Sequence, residues 1–200
     1  MNSKLIFGVL SIIPAVFAYY FYFRAIFSGK TKPHAFSWLV WGILAGNGFF
    51  AQISANAGIG AWATGLTSVV SLTIFCFALY RGDTQPTWFD RAMLGIALTS
   101  LVLLLAIDSK EIALCLTLIA LVAGFAMTFR KAYKKPAEEN ATAFFLNTLK
   151  FIPAIFALSS FSFLTVAYPL VAGVGNVSIA AVVLARGKRL AYRSQAPSPS

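Results

Sequence analysis

One lysine lies inside an apolar stretch, where a charged residue is rare. Lys150 belongs to the run from Ala143 to Ser159, which the sequence predicts to cross a membrane. An ionisable side chain within such a span is costly and by default marks a functional site. Its side chain either lines a central cavity, where it binds an anionic part of a solute or is shifted toward the neutral form by desolvation, or extends along the helix to the headgroup region. No Asp or Glu lies in any predicted span, so the sequence offers no obvious carboxylate partner.

Amide and tryptophan side chains complete the set of candidate solute-binding residues. Asn147 precedes Lys150 by three positions and therefore shares its helix face. Amides within a span need hydrogen-bond partners, which either a neighbouring helix or a bound solute supplies. The tryptophans offer a wall for a flat or ring-shaped polar solute, although Trp38 also suits the interfacial belt of aromatic residues. The remaining candidates are Asn47, Gln52, Asn176 and Trp41.

The elements that position these residues are apolar helices. Of the 200 residues, 59% are hydrophobic and 11% are charged, so polar groups cannot cover a water-facing surface. The composition predicts an all-α polytopic membrane protein with seven transmembrane helices and no soluble domain. The first run also resembles a signal peptide, but its continuation to Phe23 favours an uncleaved helix. The runs are 5–27, 36–55, 60–80, 91–107, 112–129, 143–159 and 164–185, and the polar tail 191–200 is expected to be disordered.

Basic residues are confined to alternate loops. Thirteen of the 16 lysines and arginines follow predicted helices 1, 3, 5 and 7, and an odd number of spans puts these segments on one side. The positive-inside rule places the N-terminus outside and the C-terminus in the cytoplasm of a bacterial inner membrane. The net charge of +10 therefore needs no nucleic acid to explain it. The expected partners are the lipid bilayer and a small polar or anionic solute, and a homo-oligomer is compatible with the sequence.

A weak internal repeat divides the chain. The matched pieces, at offsets of 106 and 105 residues, are Phe23-Arg24 with Phe129-Arg130 and Ala78 to Gly82 with Val183 to Gly187. They predict two parallel three-helix repeats, 1–82 and 109–190, joined by a linker helix in 83–108. Trp41 then corresponds to Asn147. If helices 2 and 6 face each other, an aromatic wall opposes an amide and an ammonium group.

This plan of three, one and three helices resembles the SWEET and PQ-loop superfamily, whose plan the nicotinamide-riboside transporters of the PnuC type share. Locally, Arg24 to Trp41 is similar to the basic loop, serine and tryptophan that follow the PQ dipeptide, although the dipeptide itself is absent. Lys30 to His34 and Asn176 are similar to a bacterial branch of small membrane proteins of this type. The resemblance implies a small-solute transport fold, with Asn176 in the solute pocket. It does not imply a sugar.

Three classes of function follow from these features. A transporter would have a polar cavity lined by Asn147, Lys150 and Asn176, and the lack of embedded carboxylates favours facilitated diffusion over a proton relay. A scaffold, sensor or accessory subunit would have a dry, close-packed interface, with Lys150 directed to the headgroups. An enzyme is not expected, because the predicted spans contain no His, Asp or Glu, and we expect no cofactor or metal site.

Overall fold

Seven α-helices make up the described structure. The computed structural model describes residues 3–29, 32–106, 109–134, 136 and 139–195, and no β-strand is formed within these ranges. A 3-10 turn, Gly58–Ala61, lies between the second and third helices. The helices are α1 (Ser3–Phe27), α2 (Ala35–Ser54), α3 (Trp62–Arg81), α4 (Trp88–Ala106), α5 (Lys110–Lys134), α6 (Ala141–Phe156) and α7 (Phe163–Gln195).

The helix positions agree with the apolar runs and differ from them at the ends. The helical backbone of α5 and α7 continues to Lys134 and Gln195, because lysine and arginine are good helix formers and the helix persists beyond its apolar part. α7 therefore extends into the tail that was expected to be disordered, and residues 196–200 lie outside the described part. α6 ends at Phe156, earlier than the predicted Ser159.

Length and composition identify a membrane protein. Six of the described helices are long and apolar enough to cross a membrane. α6 has 16 residues, and its length of about 24 Å is shorter than a hydrocarbon core of about 30 Å. Large apolar side chains such as Val9, Phe17 and Ile119 are exposed on the outside of the bundle, whereas the inside is rich in alanine. The exposed apolar surface is that expected of helices whose solvent is lipid.

The helices pack in a regular pattern. α2 packs on α3, α4 and α5, while α6 packs on α1 and α7, and α7 also packs on α5. The main core lies between α2, α4, α5, α6 and α7 and includes Leu44, Leu121, Phe151 and Tyr168. Gly48 lets α2 approach α7 closely, because a Cβ at this position would overlap the Tyr168 ring.

A side-chain N-cap begins both α2 and α6. His34 Nδ1 accepts a hydrogen bond from the Ser37 amide at 3.3 Å, and Asn140 Oδ1 accepts one from the Ala143 amide at 3.1 Å. Each cap satisfies an amide that the first helical turn leaves without an intrahelical acceptor. The Asn140 cap thereby fixes the start of the helix that carries the candidate lysine.

The α2–α3 and α6–α7 connections pack on each other at one end of the bundle. The Ser159 amide donates to the Ala57 carbonyl at 2.8 Å, and the Ser160 hydroxyl donates to the Ala55 carbonyl. Gly58 has a φ of 66°, which favours glycine, and a Cβ there would collide with the Ser159 hydroxyl. Direct contacts therefore close this end, which we call the short-loop end (residues 55–60 and 157–160).

Candidate functional site

α6 holds Lys150 in the interior of the bundle. The residue is nine positions after Ala141, which places it about 13 Å from the start of the helix and near its middle. Only 1% of its surface is exposed. The side chain therefore lies inside the protein and does not extend to the headgroup region.

Three neutral oxygen atoms accept hydrogen bonds from the Lys150 ammonium group. Nζ lies 2.8 Å from Asn147 Oδ1, 2.9 Å from Thr67 Oγ1 and 3.2 Å from the Tyr19 hydroxyl. Asn147 is on α6, whereas Tyr19 and Thr67 are on α1 and α3. Because an ammonium group has three N–H donors, these contacts satisfy all of them. We call these four residues the lysine cluster.

Lys150 is the donor in all three bonds, because an ammonium group has no acceptor. The Thr67 hydroxyl donates its own proton to the Ala63 carbonyl, at 2.7 Å, so towards Lys150 it is an acceptor. The Asn147 oxygen is also only an acceptor. The Tyr19 hydroxyl accepts from the ammonium group here and keeps a proton that it can donate to another group.

Two aromatic rings flank the ammonium group. Lys150 Nζ lies 4.9 Å from the centroid of the Phe151 ring and 5.2 Å from that of Tyr19. Both distances are within the range of a cation–π interaction, which is worth about 2 kcal/mol where water is excluded. Tyr168 extends this aromatic contact, since its ring packs edge-on against Phe151 at 6.5 Å.

No described carboxylate forms an ion pair with Lys150. Asp90 and Glu111 lie in the first turns of α4 and α5, and Asp83 and Glu139 lie in connections. Asp108 and Glu138 are outside the described residues. Neutral dipoles and ring faces therefore hold the charge, and they compensate a buried charge less well than a counter-ion does.

Among the residues predicted for the site, only Asn147 lies with Lys150 in the lysine cluster. The Trp41 ring packs on Phe125 of α5, with centroids 5.1 Å apart, and also faces Gly124. α2 thus packs on α5, and the expected opposition of α2 and α6 is not the main packing of either helix. Trp38 contacts α1, where its indole nitrogen donates to the Tyr22 hydroxyl at 3.1 Å.

The other predicted amides make single hydrogen bonds to carbonyl groups. Asn47 donates to Ala97 of α4 at 3.1 Å, and Gln52 donates to Thr165 of α7 at 2.8 Å. Asn176 donates to Ala172 of its own helix at 2.7 Å. Asn47 and Gln52 therefore join neighbouring helices. Their side-chain oxygens are buried without a partner in the described structure, as is the Thr64 hydroxyl oxygen.

Sequence reasoning missed Tyr19, Thr67 and Phe151. Tyr19 belongs to an aromatic run and Thr67 to an apolar helix, and neither has a spacing that relates it to Lys150. Phe151 follows Lys150 directly, so the sequence shows that the two residues are close. It does not show where the Phe151 ring lies relative to the ammonium group. A hydroxyl inside a span is a weak signal, because threonine often bonds its own helix, as Thr67 also does here.

Lys150 and Tyr19 are buried in the lysine cluster, whereas Asn147 and Thr67 are partly exposed. Two grooves occur on the outside of the bundle, one lined by Val9, Ile13 and Phe17 and the other by Leu118, Phe163 and Leu170. Both are open and almost wholly apolar, and neither is lined by Lys150. Because only 1% of the Lys150 surface is exposed, a solute could contact its ammonium group only after the surrounding side chains or helices move.

Comparison of the chain with protein-family models, with curated proteins and with solved structures found no match.

Proposed function

We propose that the chain transports a small polar solute across a bacterial inner membrane by alternating access between two three-helix units. The units are α1–α3 and α5–α7, and α4 links them. The observation that carries the proposal is the buried Lys150 ammonium group, which bonds from α6 in one unit to α1 and α3 in the other. A charged group at the contact between two moving units is well placed to bind and release a solute.

The packing pattern supports the two units. α6 packs on α1 and α2 packs on α5, so each unit contacts the other through corresponding helices. Within the units, α2 packs on α3 as α6 packs on α7. The starts of α2 and α6, Ala35 and Ala141, are separated by the 106 residues of the sequence repeat. These correspondences favour parallel repeats about an axis along the membrane normal, a known transporter plan.

In this proposal α6 is the seventh span and the basic loops face the cytoplasm. The N-terminal end of α1 lies at the short-loop end, where the Lys4 ammonium group donates to the Ser159 carbonyl at 3.3 Å. The positive-inside rule places this end outside. Opening to the outside would break the Ser159–Ala57 and Ser160–Ala55 hydrogen bonds, while opening to the cytoplasm would separate the units at their basic ends.

Facilitated diffusion is the mode that the side chains favour. The described carboxylates lie in loops or first helical turns, so none is positioned in the interior as a proton carrier. A passive carrier needs only a site that both sides reach in turn.

A second candidate function is a non-transporting scaffold, sensor or accessory subunit. The close packing around Lys150 favours it, because only 1% of the Lys150 surface is exposed. The two functions differ in solute flux. A scaffold moves no solute across the membrane. A carrier whose closed conformation is the described structure does move solute, and its flux depends on Lys150.

Reconstitution in liposomes tests the proposal. Purified protein should accelerate the flux of at least one member of a panel of sugars, amino acids, nucleosides and small organic acids over empty liposomes. Lys150→Gln should reduce that flux at least tenfold, because the amide cannot replace the charge. Lys134→Gln is the matched control, since it removes an exposed charge near the end of α5 and should leave flux unchanged.

Two outcomes would count against transport. The absence of flux across the whole panel, from protein that is folded by circular dichroism, supports the scaffold. Equal flux from the wild type and Lys150→Gln would place the solute path away from the lysine cluster.

A further inference from the structure

The lysine cluster carries one positive charge that nothing described in the interior neutralises. The other described charged side chains lie in loops, near the ends of α1, α3, α4 and α5, or in the basic end of α7. Burying an ion without a counter-charge is unfavourable, and hydrogen bonds to neutral groups offset only part of the cost of its desolvation. The cluster is therefore short of one unit of negative charge.

We infer that the solute of the lysine cluster is a small monovalent anion of the carboxylate type. The site of solute binding rests on the proposed function, whereas the charge preference rests on the cluster itself. One monoanion brings the buried charge to zero. A dianion would leave a net negative charge in the same apolar surroundings, and a neutral solute would leave the positive charge uncompensated.

The bound anion replaces protein acceptors on Lys150. All three N–H groups are already bonded, so a carboxylate oxygen gains a charge-assisted hydrogen bond only by displacing one of them. The Thr67 oxygen is the simplest one to displace, because its own proton goes to Ala63 and it offers the anion nothing in return. The Tyr19 hydroxyl can instead turn and donate its proton to the anion.

This exchange links binding to movement of the two units. In the closed structure, Lys150 joins α6 to α3 through Thr67 and to α1 through Tyr19. When the anion takes the place of Thr67, the bond between α6 and α3 is lost and the units are freer to separate. The phenyl and phenol faces at 4.9 and 5.2 Å repel an anion. They restrict its approach to the hydroxyl side of the ammonium group.

Anion selectivity is measured first by thermal stabilisation of the purified protein in a buffer whose only small anion is sulfate. Acetate, lactate and chloride should each raise Tm in a saturable manner, with the carboxylates binding more tightly than chloride. Succinate and glucose should not raise it. Stabilisation by glucose or succinate but not by acetate or lactate would overturn the inference, as would an equal response of the Lys150→Gln variant.

Thr67→Val tests the exchange by the direction in which it changes the affinity for lactate. Valine keeps the shape of threonine but accepts no hydrogen bond, so one N–H of Lys150 becomes available and lactate should bind roughly tenfold more tightly, the equivalent of one hydrogen bond to a charged group. A merely structural role for Thr67 predicts weaker or unchanged binding, and either result would contradict the exchange. Thr67→Ala also removes the acceptor and should tighten lactate binding in the same direction, which preserves the test if the valine variant does not fold.

Thr73→Val is the matched control. Thr73 also lies on α3 and bonds the carbonyl four residues before it, at 2.8 Å, but it is exposed. Its substitution should leave the affinity for lactate unchanged.

Flux measurements separate this inference from the proposed function. Flux of lactate and acetate that is lost in Lys150→Gln supports both. Flux of neutral solutes alone keeps the transporter and rejects the anion. Saturable stabilisation by lactate without flux of any solute keeps the anion site and rejects transport.

Discussion

Two contacts between helices of the described bundle have opposite chemistry. In the polar crossing, α6 packs on α1, and the Lys150 ammonium group donates to both Asn147 and Tyr19. In the aromatic crossing, α2 packs on α5, and Trp41 and Leu44 lie in the packed core with Phe125. Each residue of the polar crossing is separated from its counterpart by 106 positions, and the pairs are Tyr19 with Phe125, Trp41 with Asn147 and Leu44 with Lys150.

The two crossings differ in what they bury, and therefore in their effect on the stability of the fold. The aromatic crossing buries apolar surface, and it needs no partner beyond the protein. The polar crossing buries a charge that neutral groups only partly compensate, which costs stability and is retained where a ligand supplies the missing charge. Under the proposed function, the aromatic crossing serves packing and the polar crossing serves solute binding.

The largest effect should come from making the polar crossing apolar. Lys150→Leu gives position 150 of the polar crossing the same residue type as its counterpart in the aromatic crossing, Leu44. We expect loss of lactate binding and flux, with Tm equal to or above that of the wild type, because the cost of burying the charge is removed. Binding, flux and Tm measured on one preparation test this, and a large fall in Tm would show that the ammonium group mainly stabilises the fold.

Trp41→Ala should weaken the aromatic crossing without changing selectivity. Loss of a partly buried tryptophan that packs on Phe125 should cost roughly 2–4 kcal/mol of folding stability. Denaturation in detergent measures the cost, and KM for lactate should remain within twofold. Trp88→Ala is the control, since Trp88 is 80% exposed. A large rise in KM for lactate would instead indicate that Trp41 contacts the solute.

The two predicted asparagines of the second half should differ. Asn147 accepts from Lys150 as Thr67 does, so Asn147→Ala should also free one N–H and tighten lactate binding about threefold to tenfold. Asn176 bonds within its own helix, and Asn176→Ala should change binding less than twofold. Titration of both variants by thermal shift compares them directly. The reverse order would show that Asn176 reaches the solute when the units open.

The smallest effect should come from an amide that joins helices outside both crossings. Gln52→Leu loses one hydrogen bond to Thr165 but also removes a buried oxygen without a partner. These contributions oppose each other, so we expect a change in stability within about 1 kcal/mol and unchanged lactate binding. A loss well above that, measured by denaturation, would indicate that a buried water satisfies the free oxygen.

The positions of the helices followed from the apolar runs, because a membrane-spanning segment must be continuous and long. The helix ends were less predictable, since charged helix formers extend α5 and α7 beyond the apolar part. Lys150 and Asn147 could be paired from sequence, because three positions on one helix form a shared face. Trp41 and Asn176 were assigned to the same site by offset and resemblance, and in the closed structure they contact Phe125 and Ala172 instead.

What the sequence alone determined is the class of protein, an all-helical membrane chain, and the presence of one lysine within an apolar run. Local periodicity and composition contain that information. The partners of the lysine were decided by tertiary structure, since Tyr19 and Thr67 are 131 and 83 residues away on other helices. In a chain that is apolar on most helix faces, periodicity does not indicate which helix lies opposite which. Only the packing of α6 on α1 and of α2 on α5 made one crossing polar and the other aromatic.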